Sequence, residues 1–238
     1  MKVSVVMPTY NEKENIEALI RAVLAQISDD VEVVVVDDDS PDGTWKIVER
    51  VGKEMGGDRV RLVRRTDERG LASAVRTGID ASLGDIVVVM DTDFSHPPEK
   101  IPELVSTASD ADIALGSRHM KGGGMEAPPG RAFFSKLTNL FARAFLGYGV
   151  KDYTGGFIAV NKRVFEEVHI LDEWGEYGNY CIGFLYTAKE KGYKIKEVPF
   201  VYKYRTAGET KTAPDQYNLF RWGKRYCLSI LKLRFENL

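Results

Sequence analysis

The 238-residue chain draws 44% of its residues from the apolar set, enough to bury a core as one large domain or two small ones, so disorder is not the default reading. Its 33 Lys and Arg against 35 Asp and Glu give a formal charge of -2, which leaves no overall cationic field for nucleic acid and makes any anion site local. Two cysteines, Cys181 and Cys227, and three scattered histidines, His96, His119 and His169, argue against a disulfide scaffold, a CxxC redox pair, a thiolate zinc site and most histidine nucleophile relays, and fit a reducing cytosol.

The N-terminus reads directly into a strand and lacks the apolar stretch and small-residue cleavage site of a secretory signal. Strands are expected near residues 2–6, 31–36, 59–64, 85–90 and 111–116, with helices near 12–26, 43–55, 71–82 and 98–107. This alternation is the signature of successive βα units, hence an α/β fold with a largely parallel sheet. Lys121-Gly122-Gly123-Gly124 and Pro128-Pro129 then mark a long loop suited to a lid, beyond which 131–146 returns to helical spacing. The remainder offers a strand near 156–160, helices near 162–168 and 180–191, a strand near 194–202, a polar loop and a helix from about 215. No stretch approaches the roughly 20 apolar residues needed to cross a bilayer.

Ligands of open α/β sheets bind beyond the carboxyl ends of the strands. Here those ends carry Pro8-Thr9-Tyr10-Asn11-Glu12, Asp37-Asp38-Asp39-Ser40 and Asp91-Thr92-Asp93-Phe94-Ser95. Neither GxGxxG nor GxxxxGK[ST] follows a strand, which weighs against a dinucleotide dehydrogenase and a P-loop kinase. Taken alone, residues 37–39 equally suit turn and capping chemistry ahead of Pro41-Asp42-Gly43. Asp91-Thr92-Asp93 is more specific, because two carboxylates where a sheet meets solvent suit Mg²⁺ or Mn²⁺ sharing its coordination with phosphates; helix capping near Pro98 is the competing role, and the two are compatible. An ion-bridged diphosphate leaving group also needs cationic clamps, for which Arg118, Arg205 and Lys211 are candidates, although each singly reads as an ordinary solvated charge.

Together these residues resemble the family 2 glycosyltransferases, and more closely the dolichyl-phosphate (polyprenyl-phosphate) mannose synthases. The resemblance runs from Pro8-Thr9-Tyr10-Asn11-Glu12 through Asp37-Asp38-Asp39-Ser40, Gly70-Leu71-Ala72-Ser73-Ala74 and Asp91-Thr92-Asp93-Phe94-Ser95-His96-Pro97. It continues over Gly116-Ser117-Arg118 and Asp152-Tyr153-Thr154-Gly155-Gly156-Phe157 to Glu197-Val198-Pro199 and the 205–211 loop. It implies a nucleotide-sugar-binding glycosyltransferase A-type fold, a Rossmann-like, mostly parallel sheet with flanking helices. Carried over residue by residue, it implies that Pro8, Tyr10, Glu12, Val36 and Asp38 hold the guanosine end of GDP-mannose. Asp91, Thr92 and Asp93 would meet the diphosphate and its Mg²⁺ or Mn²⁺, with Ser95 a further metal ligand, and Arg118, Arg205 and Lys211 would contact the diphosphate or the incoming phosphate. Three positions depart from the pattern: Thr210 replaces the usual Ser before the loop lysine, Thr92 replaces Ala, and Tyr180-Cys181-Ile182-Gly183-Phe184 lacks the carboxylate of the Gln-x-Glu that relatives often carry there. The last leaves the sugar or acceptor open.

A polyprenyl phosphate acceptor is already an anion at pH 7 and needs no base, whereas a sugar hydroxyl would need a carboxylate such as Glu176 or Asp172, which read more simply as a solvated turn. By the resemblance, transfer inverts the α-linked donor. Helix 131–146 places Phe133, Leu137, Leu140, Phe141 and Ala144 on one stripe among Arg131, Lys136 and Arg143, and the C-terminal helix carries Arg221, Lys224, Arg225, Lys232 and Arg234 against Glu236. Both suit a membrane surface, or packing on the chain's own domain. Arg131 and Ser135, four apart on one face, are with Arg118 the candidates for the acceptor phosphate. The expected organisation is a catalytic domain over 1–214 and a basic amphipathic helix over 215–238, peripheral at the cytosolic face of a membrane. The short members of the family, which this chain resembles, rely on small membrane partners, so a partner subunit is compatible with it. The competing expectations are UDP-glucose as donor, a sugar hydroxyl as acceptor, and an inactive nucleotide-sugar-binding module; retention of Asp91, Asp93, Arg118, Arg205 and Lys211 together argues against the last.

Overall fold

Strands buried on both faces need continuous apolar runs, and the valine-rich segments supply them. In the computed structural model, which describes residues 1–27, 30–168, 179–205 and 216–236, β1 (Val3–Thr9), β2 (Val31–Asp37), β3 (Val60–Arg64), β4 (Ile86–Val89), β5 (Ile113–Ser117), β7 (Ile158–Asn161) and β8 (Ile195–Pro199) form one sheet in the order β3-β2-β1-β4-β7-β5-β8. All neighbours are parallel except β7, which runs antiparallel to both β4 and β5.

Alternate residues face opposite layers. Val3, Val5 and Met7 of β1, with Val33, Val35 and Val88, pack beneath α1 (Ile16–Leu24), α2 (Thr44–Glu54) and α4 (Ile101–Ser109). In α1, the buried Ile16, Leu19, Ile20 and Val23 recur at helical spacing and define that face. Val6, Val34, Val36, Val87 and Val89 point the other way, into a second core closed by α3 (Leu71–Ala81), α5 (Pro129–Leu146), α6 (Lys162–Glu167), α7 (Asn179–Glu190) and α8 (Gln216–Glu236). Full burial of each such side chain contributes about 1.5–3 kcal/mol. Gly78 lets α3 lie close on this face, since a Cβ there would stand 3.1 Å from Val36 Cγ2 and closer still to Val6. Ile230 and Leu233 of α8 are fully buried in the same core.

Three features depart from the sequence expectations. α1 begins at Ile16 rather than near residue 12, because the Glu12 carbonyl accepts the Asn15 and Ile16 N–H groups in a turn that frees the Glu12 side chain for other use. Part of the expected lid loop forms β6 (Gly124–Glu126), paired with β9 (Val201–Lys203), and the expected 194–202 strand divides at Phe200 into β8 and β9. The antiparallel β7 carries the 152–157 segment to the same sheet edge as the carboxyl ends of β4 and β5.

Candidate active site

The carboxyl ends of the central strands turn sharply. Asn11, Asp39 and Phe94 follow β1, β2 and β4 at φ 54°, 54° and 61°, and they are the non-glycine residues at positive φ among those described. Asp37 closes its turn on Ser40, accepting the N–H at 2.8 Å and the hydroxyl at 2.7 Å. Asp38 instead reaches across the edge, taking Arg65 Nε at 2.7 Å and the Gly70 N–H at 2.9 Å. That contact fixes the loop before α3, where Gly70 sits at φ 151°, a value that disfavours side chains. Arg69, next to it, donates to the Tyr10 hydroxyl at 3.3 Å and stands 5.1 Å from the Tyr10 ring.

At the end of β4 the Asp91 N–H donates to His96 Nδ1 at 3.0 Å, which places the imidazole proton on Nε2, 3.8 Å from Asp91 Oδ2. Burial pushes the His96 pKa down and His96 stacks on Phe157 with centroids 4.8 Å apart, so the ring is a neutral prop. Desolvation in the cleft raises the Asp91 carboxyl above its ordinary value, and Asp93 adds to the rise. Asp93 accepts the Ser95 N–H at 3.1 Å on Oδ1 and faces Arg205 Nη2 at 3.3 Å through Oδ2. The same Arg205 nitrogen donates to Glu12 at 2.7 Å, and Asn15 holds the other Glu12 oxygen at 2.7 Å.

Pro8, Tyr10, Glu12, Asp38, Asp91, Thr92, Asp93, Arg131 and Arg205 thereby surround one cavity of about 460 Å³. Four sequence-selected residues lie elsewhere. Val36 is buried in the α3-side core, because its place in β2 turns it away from solvent. Ser95 is fully buried and positions Asp93 through its backbone, its hydroxyl having no hydrogen-bond partner among the described residues. Arg118, following β5, is held by Asp152, with Nε to Oδ2 and Nη2 to Oδ1 both 2.7 Å and the Arg118 N–H at 3.0 Å, while Thr154 accepts Nη2 at 2.8 Å. Burial opposes the Arg118 charge, and Asp152 outweighs it. Ser135 shares a 3.3 Å hydrogen bond with His119. Lys211, Asp172 and Glu176 lie outside the described residues, and Tyr180, Cys181, Ile182 and Phe184 are core residues.

Sequence reasoning missed Arg69 and Tyr202 in the cavity wall and Asp152 as the partner of Arg118. A Gly-Leu-Ala run after β3 was the available signal for the Arg69 loop; nothing in the spacing links residues 118 and 152.

The donor set suits a hard divalent cation. Asp91 and Asp93 both open on the cavity, and among the described residues no cluster of three or more His, Cys, Asp or Glu could hold a metal. An ion held by this pair would complete its shell with phosphate oxygens and water, as Mg²⁺ characteristically does.

The family model for glycosyl transferase family 2 matches residues 4–169. The dolichol-phosphate mannosyltransferase of Pyrococcus furiosus is 41% identical over 220 residues, covering 89% of this chain; the chain spans 59% of that relative's length. The polyprenol monophosphomannose synthase of Mycolicibacterium smegmatis is 33% identical over 235 residues, with 93% of this chain and 86% of the relative covered. Among solved structures, glucosyl-3-phosphoglycerate synthase from Mycobacterium tuberculosis in complex with Mn²⁺, UDP and glucosyl-3-phosphoglycerate superposes with a TM-score of 0.70 at 21% identity, over 98% of this chain and 79% of that one. The fold is thus the expected glycosyltransferase A-type arrangement.

Proposed function

The chain belongs to glycosyl transferase family 2, and on that premise we propose that it transfers mannose from GDP-mannose to a polyprenyl phosphate with inversion at the anomeric carbon. The observation that carries this reading is the convergence of Asp91, Asp93, Arg131 and Arg205 on one cavity, acids for a cation and arginines for phosphates. The names of the two curated relatives support the substrates.

Pro8, Tyr10, Glu12 and Asp38 form the nucleoside end of the cavity. Asp91 and Asp93 would hold Mg²⁺ or Mn²⁺, an assignment supported by the Mn²⁺ and UDP of the structural neighbour. When bound, that ion supplies Lewis-acid stabilisation of the departing diphosphate. Arg131, in the first turn of α5, meets the acceptor phosphate. An acceptor oxygen forms its bond to the anomeric carbon as the bond to the diphosphate breaks, and the electron pair leaves with GDP. The acceptor enters as an anion, so the protein contributes alignment and charge stabilisation rather than a base.

A lipid acceptor brings the site to a membrane surface. Phe133, Leu137 and Leu140 of α5 and Leu228 and Phe235 of α8 are exposed large apolar side chains, accompanied by exposed Lys136, Lys224 and Arg234. This combination supports peripheral attachment to an anionic leaflet; among the described residues no helix is long and apolar enough to cross a membrane.

The test is a transfer assay with radiolabelled GDP-mannose and UDP-glucose, each with and without polyprenyl phosphate and Mn²⁺, followed by organic extraction. Lipid-phase label from GDP-mannose, abolished by EDTA and by Asp93→Ala, is the expected result. Label from UDP-glucose alone overturns the donor, and label that stays in the aqueous phase overturns the acceptor.

A further inference from the structure

Arg205 is the side chain that joins the two ends of the acidic cleft. It follows β9 and its side chain is only 8% exposed, yet its Nη2 bridges Glu12, 193 residues away beside β1, and Asp93, at the end of β4. The other cavity acids have different counterparts: Asp38 is matched by Arg65, and Asp91 faces His96 Nε2 at 3.8 Å. A guanidinium 3.3 Å from Asp93 Oδ2 occupies the side of that carboxylate on which the positive charge of a divalent ion would otherwise be welcome. The two cations repel each other across a few ångströms of a poorly screened cleft.

We propose that Arg205 is an internal competitor of the divalent cation, docked on Glu12 and Asp93 while the cavity holds no diphosphate and released from Asp93 when one arrives. The inference rests on the donor and metal reading above and adds an order to it. A nucleoside diphosphate offers Arg205 a doubly charged bidentate partner, stronger than its 3.3 Å contact with Asp93. Drawn to that partner, the guanidinium would leave Asp93 Oδ2 available to the ion. Cation and nucleotide therefore bind with positive coupling. By reciprocity, the ion raises nucleotide affinity by the same factor as nucleotide raises ion affinity, and couplings of this kind run from about 5-fold to 150-fold. The free protein would hold a cation weakly and would not sequester one in the absence of donor.

Mn²⁺ binding, followed through the loss of the free-ion paramagnetic resonance signal, tests this without any turnover. Wild type is expected to bind Mn²⁺ weakly alone and at least about 10-fold more tightly with saturating GDP. Arg205→Gln removes the competing charge: Mn²⁺ alone should bind about 10-fold more tightly than to wild type, and the GDP effect should shrink accordingly. Arg205→Lys keeps the charge and should stay within roughly threefold of wild type for Mn²⁺ alone, which guards against a Gln variant that folds poorly because Glu12 is left buried. If Arg205→Gln, folded by circular dichroism, binds Mn²⁺ alone no better than wild type while GDP still tightens both, the competition is refuted and the donor site stands. A Lys variant that binds as tightly as the Gln variant also refutes it, since loss of geometry rather than charge would then explain the change. If neither GDP nor UDP raises Mn²⁺ affinity in wild type, the metal and donor reading itself fails and the inference falls with it.

Discussion

Replacing Asp152 by Asn tests the structural reading of Arg118 most directly. Asp152 is fully buried and Arg118 is 9% exposed, and the carboxylate takes three N–H donors of Arg118 at 2.7, 2.7 and 3.0 Å. Asn presents one acceptor oxygen and no charge, so a permanently ionised guanidinium remains in the interior without its counter-ion. Removing one partner of a buried pair costs about 3–5 kcal/mol. With a urea slope of about 3 kcal/mol/M for a chain of this size, the unfolding midpoint should fall by about 1–1.7 M. Glu17→Gln, at an exposed ion pair between α1 and α2, is the control and should leave the midpoint unchanged within error. A double variant, Arg118→Met with Asp152→Leu, should recover much of the loss, because apolar packing can replace a buried pair at little net cost. A midpoint shift for Asp152→Asn no larger than that of the control would refute the burial and pairing described here.

The same carboxylate sets an acid limit on stability. Burial alone would raise the Asp152 pKa, but the charge and hydrogen bonds of Arg118 outweigh burial and hold it at about 2, below the ordinary 3.8. A depressed folded-state pKa contributes stability that is complete above the unfolded value and is lost as pH falls through the folded one. Urea midpoints should therefore fall between pH 4 and pH 2 by an amount equivalent to ~2 kcal/mol, and Asp152→Asn should lack that part of the slope. In α3, Gly78→Ala should lower stability by about 1–3 kcal/mol despite the better helix propensity of alanine, because the new methyl group meets Val6 and Val36; an unchanged or higher melting temperature would disprove the close approach. Changing Phe133, Leu137 and Leu140 together to Ser should abolish flotation with anionic vesicles while leaving GDP affinity intact; retained flotation would remove α5 from the membrane face. Arg131→Gln should raise the KM for the lipid phosphate more than that for the donor, and an equal effect on both would move this arginine away from the acceptor.

Much of this architecture was legible because its determinants are local. Short β-branched runs leading into acidic loops, and helices with i, i+3, i+4 apolar spacing, announced themselves in β1, β2, β4 and α1. The acidic strand ends were equally visible, and Pro8, Tyr10, Glu12, Asp38, Asp91 and Asp93 do share one cavity. What escaped depends on long-range pairing. The short apolar run near 156–160 reads as a strand but carries no direction, and the three residues of β6 in a glycine-rich stretch are too few to show a period. Val36 adjoins Asp37 in sequence, yet in the sheet it faces the α3-side core. Arg118 read as a free clamp because its partner is 34 residues on, and Arg205 showed nothing of its reach to Glu12.

The inserted antiparallel strand explains how one sheet edge comes to hold both the paired carboxylates Asp91 and Asp93 and their supports. Parallel strands deliver only their carboxyl ends to that edge, and β1, β2 and β4 deliver acidic turns there, with Asn11, Asp39 and Phe94 in left-handed backbone at roughly 1–3 kcal/mol each. An edge built from such turns alone would be negative and strained. Reversing β7 between β4 and β5 brings its amino end to the same place, so that Asp152 and Thr154 can hold Arg118 and Phe157 can support His96 beneath Asp91. Two apolar cores, one on each face of the sheet, supply the stability that offsets the strain at the edge. The rigid sheet therefore fixes the acids and the Arg118 brace, whereas Arg205 enters from beyond β9, outside the seven-stranded sheet, where a change of partner need not disturb the core.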